Sequence, residues 1–245
     1  MKIDPTSKAD LSIQIAKAIR EEIMGGTLRV DDRLPSETEL CDHFEVSRST
    51  VREALKRLAA QNLIRTQRGA SGGAFVNRLS YDQARGHHVT TSTLLMSMNE
   101  VDFKTACEAR YALERACAPL AVERRTADHL ATMRVEIFRQ GQPGLSDESF
   151  CDSDVAFHRA LVDSAGNHVL SYQLAGAVEA TQPLMNMITF SARSREKIIE
   201  LHTAIADGVE NHDAELVDAK LAELSAYTLQ LSENVAKERS KRKQS

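Results

Sequence analysis

The sequence predicts a mainly α fold: an N-terminal winged helix-turn-helix followed by an all-helical antiparallel bundle of about six to seven helices. Three observations carry that prediction. Apolar residues recur at helical spacing along most of the 245 residues. With only 11 Gly and 5 Pro, the chain lacks the turn content of an all-β fold. Two short extended runs flank a glycine-rich turn between residues 63 and 76, as a hairpin would. The length exceeds the roughly 100–150 residues usual for one domain, so two domains are expected. The boundaries read as 1–78 for the winged domain, 79–100 for a linker and the first bundle residues, 101–236 for the helical domain, and 237–245 for a basic tail.

Each element has its own signal. Leu11, Ile15, Ile19 and Ile23 mark one face of a helix over 10–24, which Gly25-Gly26 ends. Ser36-Glu37-Thr38-Glu39 has the form of a capping box and opens a second helix whose Leu40 and Phe44 face the core. After a break at Glu45-Val46, Ser47 caps a third helix over 48–60, with Val51, Leu55 and Leu58 as its buried stripe. Leu63–Thr66 reads as a strand, Arg68–Gly73 as a turn and Ala74–Val76 as the returning strand. Residues 77–90 read as a linker. Helical periodicity then occupies about 101–124, 127–140, 149–165, 167–190, 194–211 and 213–238, with breaks at 141–144 and at Gly166-Asn167. No internal repeat is evident. The basic end reads as solvated, with a DNA contact as the alternative.

Composition narrows the function. At 42% hydrophobic and 27% charged residues, the chain can bury a core. Aromatics are 4% and Trp is absent, which argues against a stacking platform for single-stranded nucleic acid or sugars. No apolar run approaches the ~20 residues of a membrane span. The start, Met1-Lys2-Ile3-Asp4-Pro5, lacks the apolar segment of a signal peptide. Cys41, Cys107, Cys117 and Cys151 show no CxxC or disulfide-scaffold spacing. A reduced, cytoplasmic chain with no membrane partner is expected. The net charge of −4 is unevenly spread: residues 47–78 carry seven basic side chains and one acidic, while 79–245 carry 18 basic and 24 acidic. A basic module tied to an acidic one suggests that one half meets an anionic polymer.

The basic module has the order required to read double-stranded DNA. The short turn lets the second helix brace the third in a major groove, where residues at the start of the third helix reach base edges. Arg48 and Arg52 suit guanine, and Ser47, Ser49 and Thr50 are short donors suited to phosphate. Glycines such as Gly69 let the wing backbone approach the duplex, and Arg68 would contact the minor groove or phosphate. The alternative is a solvated arginine face; the complete order of capped helix, tight turn, Ser-Arg-Ser-Thr-Val-Arg and Gly-tipped hairpin weighs against it.

These residues carry a family resemblance. Arg33-Leu34-Pro35-Ser36-Glu37 with Leu40, then Val46 through Leu55, then Leu58, Leu63 and the Gly-rich wing closely resemble the GntR family of bacterial transcription regulators. The resemblance covers residues 10–76. It implies that Arg48 and Arg52 read the operator, with Arg33 and the wing assisting. Some members place a further base-reading Arg in the second helix; the matching position here is Thr38.

In the second domain, Asp154 and His158 are four residues apart on one helical face, shared with Leu161 and Ala165. His202 lies on a stripe with Ile198, Ile205 and Val209. A carboxylate and two imidazoles aimed into a bundle suit Zn, Ni or Mn; a lone buried His is more often a satisfied core residue, and the Asp-x-x-x-His spacing raises the metal reading. Residues 101–235 resemble the all-helical FCD ligand-binding domain of the FadR subfamily, through the run Glu108 to Glu114, Asp154 to His158, Ala165-Gly166-Asn167, and His202 with Ile205 and Ala206. The resemblance implies a divalent metal on Asp154, His158 and His202, a small carboxylate effector, and Arg110 lining the cavity. Arg110 also reads as a salt-bridge partner of neighbouring helices. The family's fourth ligand falls on Leu224, within the apolar stripe Val217, Leu221, Leu224 and Leu231. Two outcomes stay open: a three-ligand site completed by water or effector, or a metal-free pocket.

The expected function is a ligand-responsive transcriptional regulator, a repressor that binds a palindromic operator as a homodimer, since one winged helix covers a half-site. The alternatives are a metal-dependent enzyme fused to a DNA-binding domain, and a sequence-neutral architectural protein. No separate general base is evident, which weighs against an enzyme.

Overall fold

The N-terminal stripe winds into α1 (Leu11–Met24), with Ile15 and Ile19 fully buried and Leu11 and Ile23 half-buried. The computed structural model describes residues 3–4, 10–69, 72–98, 101–181 and 195–243. Helix α2 (Glu37–Phe44) begins at the Ser36 capping box: the Glu39 N–H donates to Ser36 Oγ at 3.3 Å, and the Ser36 N–H donates to Glu39 Oε2 at 2.7 Å. Glu45, in the left-handed region at φ 54°, turns the chain at once into α3 (Arg48–Ala60), capped by Ser47. Caps of this kind stabilise by about 0.5–2 kcal/mol each. Leu40, Phe44, Val51, Leu55 and Leu58 fill one core with α1, so the opposite face of α3 is left to solvent.

Strands β1 (Ile64–Gln67) and β2 (Gly73–Val76) form the antiparallel wing, with Ile64 opposite Val76 and Gln67 opposite Gly73. Residues 31–34 line the other edge of β2: Arg33 bridges to Phe75, the Leu34 N–H donates to Ala74 O, and the Val76 N–H donates to Asp32 O. That third, partial strand was not expected.

Helix α4 (Tyr81–Ser97) occupies most of the segment read as linker and first bundle residues. The chain divides into two compact units between Gln83 and Ala84, inside this helix. The second unit contains α5 (Phe103–Arg124), α6 (Ala127–Gln140), α7 (Asp147–Ser164), α8 (His168–Val178), α9 (Arg195–Glu210) and α10 (Ala214–Lys243). Asp102, Thr126, Ser146 and Asn167 cap α5 to α8. Helix α6 packs on α7, and α10 packs on α5 and α9. The core between them holds Phe150, Phe157, Leu201, Ile205, Leu221 and Leu224.

Two expectations need correction. The segment expected to be helical over 167–190 ends its helix at Val178, and residues 182–194 lie outside the described residues. The last helix, expected over about 213–238, continues as α10 to Lys243, because the chain has no Gly or Pro there to stop it. Among the described residues, no helix is long and apolar enough to cross a membrane.

Candidate functional site

The outer face of α3 presents Arg48, Arg52 and Lys56 at i, i+4 and i+8, all exposed. The structure sorts the basic module by partner. Arg52 Nε donates to Glu37 Oε2 at 2.9 Å, which ties α3 to the start of α2. Arg57 faces Asp10 and Glu53. Arg65 and Arg78 both bind Asp31, at 3.1 and 2.9 Å, and hold its carboxyl below the usual range. Arg48, Lys56 and Arg68 have no ion pair among the described residues. Those three are the cations left for an outside anion, with Arg52 shared. Ser47 Oγ lies 2.7 Å from Ser49 Oγ and 2.9 Å from Thr50 Oγ1, so the three hydroxyls cluster at the N-terminus of α3. Arg68 and Gly69 are exposed at the end of the wing; Ala70 and Ser71 lie outside the described residues.

In the second unit a polar cluster is sealed inside the bundle. Arg110 and Glu114 project from α5, Asp154 and His158 from α7, and His202 from α9; each is less than 9% exposed. One ligand atom from each of Asp154, His158 and His202 lies within 4.8 Å of the others. The spacing placed Asp154 and His158 on one face, and the packing of α7 against α9 adds His202 to them.

Hydrogen bonds fix how each imidazole is presented. Glu114 Oε1 accepts from Arg110 Nε at 2.7 Å, and Glu114 Oε2 accepts from His158 Nδ1 at 2.7 Å. Gln140 Oε1, at the end of α6, accepts from His202 Nδ1 at 2.9 Å. Both Nδ1 atoms are thus committed. His158 Nε2 and His202 Nε2 are buried and have no hydrogen-bond partner among the described residues, and the same holds for Arg110 Nη1 and Nη2. Buried polar atoms left this way cost about 1–3 kcal/mol each. His202 Nε2 lies 3.6 Å from Asp154 Oδ1, and Arg110 Nη2 lies 3.8 Å from Asp154 Oδ2.

The electrostatics suit a ligand set. Burial pushes the His202 pKa down from 6.5 to about 3, so the ring is neutral and able to donate a lone pair. Burial pushes Glu114 up, but His158 and Arg110 outweigh it and hold the carboxyl below its ordinary value. Burial acts against the Arg110 charge, yet Glu114, Tyr111 and Asp154 raise its pKa further. Phe157 stacks on His202 with ring centroids 4.1 Å apart and fixes its plane. Leu224 is 1% exposed among apolar neighbours, so the fourth position supplies packing and no donor atom.

Sequence reasoning missed Glu114 and Gln140. Glu114 carried a legible signal: it sits four residues after Arg110, the spacing of a helical ion pair. Gln140 carried none, since a Gln before a helix-ending Gly is ordinary on any surface.

Comparison with known proteins bears on both units. Residues 11–76 match the model of the bacterial regulatory proteins, gntR family, and residues 105–226 match the FCD domain. The chain is 30% identical over 209 residues to the HTH-type transcriptional regulator LutR of Bacillus subtilis, covering 83% of this chain and 93% of that protein. It is 27% identical to the galactonate operon transcriptional repressor of Escherichia coli, covering 90% of this chain and 96% of the repressor. It is 26% identical to the putative L-lactate dehydrogenase operon regulatory protein of Escherichia coli, covering 86% of this chain and 78% of that protein.

Proposed function

The chain belongs to the gntR family of bacterial regulatory proteins and carries an FCD domain, and from that premise we propose a repressor that releases its operator on sensing a small hydroxycarboxylate at a metal held by Asp154, His158 and His202. It is a ligand-responsive, DNA-binding transcriptional regulator and not an enzyme. Within the family, the FadR subfamily is our assignment. The reading includes a homodimer on a palindromic site, contacted by Ser47, Arg48, Ser49, Thr50 and Arg52 from α3, by Arg68 and Gly69 from the wing, and with Arg33 assisting.

The observation that carries the effector reading is the set of buried nitrogens without a hydrogen-bond partner among the described residues: His158 Nε2, His202 Nε2 and the two terminal nitrogens of Arg110. Zn, Ni or Mn fits the two imidazoles and the carboxylate. Such an ion supplies a Lewis-acidic site for carboxylate and hydroxyl oxygens. Charge then narrows the effector. Arg110 opposes Glu114 and Asp154, so with the imidazoles neutral as ligands the cluster sums to one negative charge. A divalent cation makes that one positive charge, which a single carboxylate closes. A dicarboxylate would leave a buried negative charge uncompensated. One relative is named for a galactonate operon and another for an L-lactate dehydrogenase operon; both names concern hydroxymonocarboxylates.

The test is elemental analysis of the purified full chain, followed by calorimetric titration of the zinc-loaded protein with L-lactate, D-galactonate and malate. We expect about one metal per chain and binding of a monocarboxylate in preference to malate. Absence of metal after incubation with Zn and Ni, or preference for malate, would overturn the assignment.

A further inference from the structure

The geometry points to Arg33 as a positioning residue that braces the wing rather than as a reader of DNA. Arg33 is exposed, yet its guanidinium is turned back onto the wing. Arg33 Nη2 donates to Gly72 O at 2.7 Å, across 39 residues of sequence. The bond lands on the returning side of the hairpin, beside the edge where residues 31–34 pair with β2.

The wing needs such a brace. Between it and the helical body lies a cavity of about 350 Å³, lined on one side by Arg33, Pro35 and Glu37 and on the other by Thr66, Gln67 and Gly72. The strands contribute little to the core. Of β1 only Ile64 is buried, and of β2 only Val76, both at the end away from the turn. Among the described residues, the half of the hairpin that carries Arg68 has only the partly buried Ala74 as apolar anchorage, and the Arg33 side chain reaches across to it. Gly73 is shaped for this arrangement: a Cβ there would sit 2.9 Å from Arg33 Nε, and its φ of +149° is one that L side chains rarely adopt. A side chain at 73 would displace the guanidinium.

A brace also explains why Arg33 differs from Arg48 and Arg68. Those two have no ion pair or hydrogen-bond partner among the described residues, whereas Arg33 already commits a donor to Gly72 O. Holding the wing in one pose removes the entropy that would otherwise be lost when Arg68 and Gly69 meet the duplex. The inference rests on the reading of the wing as a DNA contact, and its test separates the two.

The experiment uses the full chain and a duplex enriched by it from a random-sequence DNA pool. Affinities are measured for wild type, Arg33→Gln, Arg68→Ala and the double variant at several salt concentrations, alongside the rate of trypsin cleavage after Arg68 without DNA. Arg33→Gln is expected to weaken binding about tenfold in the wild-type background and less than twofold when Arg68 is already Ala, because the brace acts through the wing. Trypsin cleavage after Arg68 is expected to accelerate several-fold with the melting temperature unchanged. Equal losses in both backgrounds, with a salt slope reduced by about one, would make Arg33 a direct phosphate contact and overturn the brace. An unchanged cleavage rate would overturn it as well. Wild-type affinity for Arg68→Ala would sink the DNA role of the wing, and the cleavage rate would then decide the brace alone.

Discussion

Glu114→Gln is the substitution that asks most of the buried cluster. Glu114 accepts from Arg110 Nε with one oxygen and from His158 Nδ1 with the other, both at 2.7 Å and both fully buried. A glutamine has the same shape but only one acceptor oxygen. If that oxygen keeps Arg110, the amide NH₂ faces His158 Nδ1, and the ring must carry its proton on Nε2 to accept from it. Nε2 is then no longer a metal ligand. If the amide flips to serve His158, two donors meet at Arg110. One charge-assisted hydrogen bond is lost either way, at about 1.5–3 kcal/mol. For a chain of this size that lowers the melting temperature by about 3–12 °C. Loss of an outer partner of a metal-bound His lowers affinity about 10–100-fold. The assay is competition for zinc against a chromophoric chelator, with thermal melts of the same samples. Arg115→Ala is the control: on the same helix as Glu114, it breaks an exposed pair with Asp218 of α10 and should change neither readout appreciably. A variant that melts lower but binds zinc like wild type would show that Glu114 serves stability alone and that His158 is not a ligand.

Other outcomes follow from the same geometry. Leu224→His should tighten zinc binding by supplying a fourth imidazole, while costing stability without metal, because a polar ring replaces a buried Leu; chelator competition and melts with and without zinc check both. Arg52→Ala should cost about 1–3 kcal/mol on the operator and relax sequence choice, because Arg52, though shared with Glu37, lies on the outer face of α3, whereas Arg78→Ala, off that face and paired with Asp31, should leave affinity within twofold; binding to a randomised pool distinguishes them. Stability should fall with acid through His202: its folded pKa is about 3 against 6.5 unfolded, so the contribution is complete above 6.5 and is lost toward pH 3, at up to about 1.4 kcal/mol per pH unit. Denaturant melts should show a flatter pH profile for His202→Gln. Finally, Glu179 Oε1 receives Arg85 of α4 at 2.8 Å and Arg159, the neighbour of His158, at 3.3 Å. Glu179→Gln should leave operator and effector affinities within about threefold while weakening the effect of one on the other, measured as operator affinity with and without saturating effector.

What the sequence disclosed and what it hid follow one physical division. Burial leaves periodic traces, so α1, α3 and the helices that enclose the core were legible from Ile15, Val51, Phe157 or Ile205. Helix α4 buries no residue and has no apolar stripe, so periodicity passed over it. Its start was nevertheless written locally: Ser80 and Gln83 exchange hydrogen bonds in the S-x-x-Q pattern, the same signal that located α2. The pairing of residues 31–34 with β2 left no trace, because backbone hydrogen bonds to a short edge need no particular side chains. The cluster divides in the same way. Asp154 and His158 were legible because four residues bring them onto one face, and His202 because its neighbours are apolar. That His158 and His202 lie in one cluster depends on how α7 meets α9, a tertiary fact. Glu114 and Gln140 matter only through the atoms they hold in place, and that role is set by three-dimensional contact alone. For the same reason, charge counting overstated the basic module: seven basic residues stood against one acid in sequence, yet Asp31, Asp10 and Glu37, outside that stretch, reach back to pair four of them. The cations that remain, Arg48, Lys56 and Arg68, with Arg52 shared, mark a narrower surface than composition suggested.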